Sequence, residues 1–150
     1  MAVAIPKTKE DIQKIIAFAR ENGSSVIPRA AGTSLAGQVV GNGIVVDISQ
    51  QFTKILSVDP VEKSAWVEPG VIRDELNLHL KSYKLFFGPE TSTSNRCMIG
   101  GMVGNNACAA RSVIYGSTRE HLLEIKGFLA DGNEVTFGAL TNAKFEDKCN

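Results

Sequence analysis

The run Val26-Ile27-Pro28-Arg29-Ala30-Ala31-Gly32-Thr33-Ser34-Leu35-Ala36-Gly37 joins an apolar, strand-like stretch to a turn of small residues carrying one arginine and two hydroxyls. Such a turn suits a phosphate. Successive main-chain N–H groups can form a concave nest of positive partial charge, and Ala, Gly and Ser let an anion approach the backbone unobstructed. Thr33 and Ser34 add hydroxyl donors, whereas Arg29 has two readings, an ion pair with a diphosphate or a salt bridge to the scaffold at a strand end. The same composition also suits a tight strand connection packed through small residues.

A second stretch has equally unusual chemistry. Pro89 to Ser94, Ile99 to Ala110 and Tyr115 to Thr118 are poor in charge and rich in Gly, Ser, Thr, Asn and Ala, with Ile99, Met102, Val103 and Ile114 interspersed. A long connection of this kind without regular structure reads as a packed lining for a large ligand, since a solvent loop would be shorter and more charged. The competing reading is a helix-packing segment in which Gly100, Gly101 and Gly104 permit close contact. Other nucleotide motifs are missing. No G-x-G-x-x-G opens a helix after a strand, Gly41-Asn42-Gly43 precedes a strand instead, and nothing matches G-x-x-x-x-G-K-[ST].

In these stretches the chain resembles the FAD-linked oxidases of the vanillyl-alcohol oxidase or PCMH type, in the branch with D-lactate dehydrogenase, glycolate oxidase and 2-hydroxyglutarate dehydrogenase. Five elements carry the likeness in order: Pro28-Arg29 through Thr33, Pro89 to Ser92, Ile99-Gly100-Gly101, Asn106-Ala107 and Tyr115-Gly116, with Asp131-Gly132 closing the next hairpin. The resemblance implies a PCMH-type FAD-binding domain of two small α+β subdomains, about 1–60 and from about 61 to 150, incomplete at its C-terminus and without a substrate or cap domain. It implies that Arg29, Ala30, Ala31, Gly32, Thr33, Ser34 and Gly37 wrap the FAD diphosphate. Pro89, Thr91, Ser92, Met98, Gly100, Gly101, Asn105, Asn106, Ala107, Tyr115 and Gly116 would line the rest of the cofactor.

The departures from the pattern are informative. Ala30 and Ala31 stand where the family usually has glycines, so neither position should require positive φ. Thr33 holds the place of the histidine to which some relatives attach flavin, so the implied FAD is non-covalent. The implied activity is oxidation of a small 2-hydroxy acid by hydride transfer to FAD, performed by a longer parent, since catalytic base and carboxylate clamp usually lie in a separate domain. This piece alone should turn over little or no substrate. Other implied partners are the missing C-terminal flavin and substrate domains and an iron-sulfur electron acceptor, for which this chain offers no ligands. Two alternatives are a non-catalytic module for a nucleotide or phosphate ligand and a flavin-free structural domain.

The whole chain sets bounds on these readings. Its 150 residues, 43% hydrophobic, can bury one sizeable core. Sixteen basic and sixteen acidic residues leave a formal net charge of +0, which gives no footprint for nucleic acid. No apolar run approaches the roughly 20 residues needed to span a bilayer. The first residues lack the character of a signal peptide, so the expected placement is cytoplasmic, membrane-peripheral at most in the parent. Cys97, Cys108 and Cys149 lack metal-site spacing and read as free thiols, the first two packing beside the cofactor. His79 and His121 read as a helix-face residue and a residue near a strand start.

The elements that must position these residues are legible in outline. A strand over Val3 to Ile5 precedes a helix capped by Thr8 and ending near Gly23, with Ile12, Ile15, Ile16 and Ala19 on one face. Strands are expected at 26–27, 44–48, 54–58 and 64–67, and a second helix at about 72–83 with Ile72, Leu76, Leu80 and Tyr83 inward. Arg73, Asp74 and Glu75 are expected on its solvent face, Leu85-Phe86-Phe87 in the core, and Trp66 in core or sheet-face packing. The runs 122–129 and 134–137 flank Asp131-Gly132 as a hairpin.

Overall fold

The computed structural model describes residues 2–140. A strand, β1 (Ala2–Ala4), leads into helix α1 (Lys9–Glu21), whose start is fixed by a capping box. Thr8 Oγ1 accepts the Asp11 amide at 3.2 Å and the Asp11 carboxylate accepts the Thr8 amide at 3.1 Å, which satisfies donors the first turn would otherwise leave open. At the other end the Gly23 and Ser24 amides return to the carbonyls of Arg20 and Ala19, a Schellman closure.

Two further strands, β2 (Val26–Arg29) and β3 (Ile44–Asp47), complete a parallel sheet in the order β1-β3-β2. All four residues of β3 are buried, as the centre of a parallel sheet requires. Ala19, Ile44 and Val46 form the first core, joined by Ala4, Ile15, Val26 and Ile48. A second core gathers Val71, Leu76 and Leu80 with Ile55, Val58, Val67, Leu85, Phe87 and Ile99. It sits under the antiparallel pair β4 (Ile55–Asp59) and β5 (Ser64–Val67) and helix α2 (Arg73–Leu80), which continues as a 3-10 turn over Lys81–Tyr83. The first core draws on residues up to Ile48 and the second on residues from Ile55 onward.

The stretch from Pro89 to Gly116 has more regular structure than its composition suggested. It contains helix α3 (Ile99–Gly104) and one turn of helix α4 (Ser112–Tyr115), and of the three glycines in the helix-packing reading only Gly100 is closely packed, since a Cβ at Gly104 would meet nothing within 4 Å. A Cβ at Gly100 would lie 2.5 Å from Pro69 Cβ and 3.0 Å from the Pro69 carbonyl oxygen, a separation only glycine permits. The last hairpin is β6 (Glu124–Phe128) and β7 (Glu134–Gly138), turned at Asp131-Gly132 as expected.

Other expectations change in detail. Arg73 does not face solvent: its guanidinium reaches into the scaffold and donates to the carbonyls of Pro89 at 3.1 Å and Phe87 at 3.4 Å. Asp74 accepts the Ser94 hydroxyl at 3.0 Å with its side chain still partly open to solvent, and Glu75 is exposed as expected. Tyr83 and Phe86 remain substantially exposed because the chain leaves the second core at the 3-10 turn and re-enters it only through Leu85 and Phe87. Trp66 is on a sheet face, partly exposed, with Lys126 Nζ 4.8 Å from its ring centroid. Cys97 is buried against Met102, but Cys108 is exposed, and Cys149 lies outside the described residues.

Candidate functional site

The loop after β2 leaves the carboxyl end of the parallel sheet, where α/β folds present ligand sites. Its backbone is open. Among the described residues, the amides of Ala30, Ala31, Gly32, Thr33, Ser34 and Leu35 donate to no protein acceptor. Pairing resumes at Ala36, whose amide reaches Ser34 Oγ at 3.4 Å, and at Val40, bonded to the Gly37 carbonyl at 2.9 Å. Six successive unpaired N–H groups in one loop form a cluster of donors. Gly32 and Gly37 take φ of 69° and 72°, while Ala30 and Ala31 avoid positive φ, as the alanines require.

Of the two readings of Arg29, the geometry favours the scaffold. Its Nη1 pairs with the Asp47 carboxylate at the end of β3 and its Nη2 donates to the Ala31 carbonyl at 3.4 Å. Burial pushes the Asp47 carboxyl up, and hydrogen bonds from Ser49 with the Arg29 charge outweigh it, holding the group below the ordinary aspartate range. Ser49 donates its amide to Asp47 Oδ1 at 2.9 Å.

The second segment meets the loop at three points. The Thr93 hydroxyl donates to Thr33 Oγ1 at 3.4 Å, Gln38 Nε2 donates to Asn105 Oδ1 at 3.0 Å, and a Cβ at Gly101 would touch Ala30 Cβ at 3.7 Å. The Gly101 amide, in the first turn of α3, also donates to no protein acceptor among the described residues. Thr91 joins through its hydroxyl, 3.2 Å from that of Thr93, and Ser92 is exposed beside it. Ser34 turns its hydroxyl to Gln38.

The remaining expected residues form the frame behind this contact. Pro89 is fully buried, and Met98 precedes α3 in extended backbone. Asn106 takes φ of 46° in the Schellman closure of α3, and its Oδ1 accepts the Arg119 amide at 2.9 Å. The Ala107 carbonyl accepts both the amide and the hydroxyl of buried Thr118. Tyr115 packs edge-on to Phe86 and against Gly88, while Gly116 turns the chain above Glu120. Thr93, Gln38 and Asp47 were not among the expected site residues. Thr93 stands within the hydroxyl run already singled out, and Asp47 is an acid closing an apolar strand, a pattern that signals a paired buried charge.

This arrangement fits the diphosphate of a dinucleotide: unpaired donors lie on the loop and on Gly101, and Gly101 leaves room above Ala30. The family model described as FAD binding domain matches residues 1–138. The chain belongs to this FAD-binding family, and FAD is its cofactor.

Curated relatives agree. The chain is 41% identical over 135 residues to D-2-hydroxyglutarate dehydrogenase of Escherichia coli (strain K12), covering 88% of this chain and 13% of that protein. It is 31% identical over 141 residues to the glycolate oxidase protein GlcD of the same strain, covering 93% of this chain and 28% of that one. Solved structures share the fold. Alkyldihydroxyacetonephosphate synthase superposes with a TM-score of 0.78 at 20% identity, covering 96% of this chain and 30% of that one. 6-Hydroxy-D-nicotine oxidase from Arthrobacter nicotinovorans gives 0.78 at 20% identity, covering 91% and 28%. The chain thus spans less than a third of each of these proteins. Among the described residues no helix is long and apolar enough to cross a membrane.

Proposed function

We propose that this chain supplies the diphosphate-gripping part of a flavoenzyme that oxidises a small 2-hydroxy acid, binding FAD without a covalent bond. The observation that carries the proposal is the open run of amides from Ala30 to Leu35 facing a segment that contributes Gly101 and Thr93. Bound FAD supplies the hydride acceptor. The chain's own work is to hold and orient it. Amides of residues 30–34 and the hydroxyl of Thr33 meet the diphosphate, Gly37 lets the loop turn away, and Thr91, Ser92, Met98, Gly100, Asn105, Asn106 and Ala107 shape the adjoining wall. Pro89, Tyr115 and Gly116 support that wall from behind. The 2-hydroxy acid follows from relatives named for 2-hydroxyglutarate and glycolate. None of the residues named here is assigned to taking the hydroxyl proton or clamping the carboxylate.

Titration of the purified chain with FAD, FMN, ADP and inorganic pyrophosphate tests the proposal. FAD should bind most tightly, ADP should compete with it, and the complex should absorb near about 450 nm. Failure to take up FAD would overturn the assignment of the loop, and equal affinity for pyrophosphate would reduce the site to a general phosphate module.

A further inference from the structure

The open loop raises a question of its own. Glycine at residue 32, with φ of 69°, lets the peptide between Ala31 and Gly32 rotate with little steric resistance, so glycine alone does not decide which way that N–H points. In a planar trans peptide the Ala31 carbonyl and the Gly32 N–H point in opposite directions. Whatever holds the carbonyl therefore aims the amide. The group in that place is Arg29, whose Nη2 donates to the Ala31 carbonyl at 3.4 Å. The guanidinium lies directly beneath residue 32, since a Cβ there would come within 2.9 Å of Arg29 Nε. Arg29 is in turn held by Asp47, which sits on the central strand, is itself buried, and is fixed by the Ser49 amide.

We propose that Arg29 and Asp47 are a positioning pair that holds the Ala31–Gly32 peptide with its N–H turned toward the diphosphate, so that Arg29 acts through the backbone and not as a direct cationic ligand. The inference rests on the FAD reading above. It makes a prediction of opposite sign to simple electrostatics. Removing the negative charge of Asp47 from the neighbourhood of a diphosphate should tighten binding if charge attraction by Arg29 were the main effect. If the pair positions the peptide, the same change weakens binding, because preorganisation of the amide is lost.

The test compares the wild-type chain with Asp47→Asn, Arg29→Lys and Arg29→Ala. Circular dichroism reports the fold, FAD titration at two salt concentrations reports binding, and 15N relaxation reports the Gly32 amide in the FAD-free chain. Arg29→Lys keeps a cation for Asp47 but lacks the second nitrogen that reaches Ala31, so it isolates the positioning role if Asp47→Asn fails to fold. Asp47→Asn and Arg29→Lys should each weaken FAD by about tenfold. Neither should change the salt dependence of the dissociation constant, and the Gly32 amide should show new exchange broadening. Tighter or unchanged FAD binding in Asp47→Asn, or full retention in Arg29→Lys, would overturn the proposal. An unchanged Gly32 amide would overturn it whatever the chain binds, whereas a wild-type chain with no FAD uptake would overturn the loop assignment on which it rests.

Discussion

A side chain at residue 32 would have to adopt φ of 69° and find room for a Cβ 2.9 Å from Arg29 Nε. The left-handed backbone alone costs about 1–2 kcal/mol for a residue with a Cβ, and more for a β-branched one. Gly32→Val should therefore abolish FAD uptake while circular dichroism shows the sheet and helices intact, because the strain is confined to an exposed loop. Retained uptake would place the diphosphate elsewhere. Asp47 offers a pH test. Its folded carboxyl ionises below the ordinary value of 3.8, so in that range the unfolded chain binds more protons. The stabilisation it contributes is complete above the unfolded value and is lost as pH falls through the folded one. Asp47→Asn should lower stability at neutral pH by about 1–2 kcal/mol, less than a fully buried pair because Arg29 is partly exposed. Urea melts at decreasing pH should show the wild-type advantage shrinking below about pH 4, and a constant gap would refute the assignment. The loop's chemistry was legible from its small residues and hydroxyls, but the choice between the two roles of Arg29 was not, because its partner Asp47 lies 18 residues away.

At the scale of elements, helix α3 separates two glycines that look alike in sequence. Gly100 presses on Pro69, so Gly100→Ala forces the helix off its seat and should cost about 1–3 kcal/mol. A Cβ at Gly104 meets nothing within 4 Å, so Gly104→Ala should gain about 0.5–1 kcal/mol from backbone entropy. Chemical denaturation of both variants checks the contrast, and equal effects would mean that α3 does not pack as described. Helix α1 and the β6–β7 hairpin were readable because their signals are local: a capping residue with its acid three positions on, and an Asp-Gly pair in the connection between strand-like runs, where the Gly132 amide closes on the Leu129 carbonyl. Helix α3 was not, since a run of glycines has weak helix propensity and this one is held by Pro69 and Val71 carbonyls that accept the Gly100 and Ile99 amides. The burial of Arg73 was missed for a similar reason. Its acceptors, Phe87 and Pro89, come from a later return of the chain.

Across the whole molecule, the two apolar cores include no residue of β6 or β7. That hairpin reaches α1 by polar contacts: Lys9 with Glu134 at 3.0 Å, Gln13 Nε2 to the Gly132 carbonyl at 3.2 Å and Arg20 Nη1 to the Asp131 carbonyl at 2.9 Å. Exposed contacts of this kind contribute little and weaken with salt. Hydrogen exchange should thus protect Val45 and Val46 in β3 most and the β6–β7 ladder least, with the difference widening at high salt. Comparable protection would show that the hairpin is held by more than these contacts. Turn chemistry and apolar periodicity, which act over a few neighbouring positions, pointed to the α+β class, and the ordered motifs pointed to the FAD family through their resemblance to it. Only the tertiary structure decided that the amides of 30–35 find no partner among the described residues, that Arg29 turns back to Asp47 and that Thr93 and Gly101 close on the loop. Those facts depend on which distant group fills the space beside each donor, and the three-dimensional packing of the chain sets that.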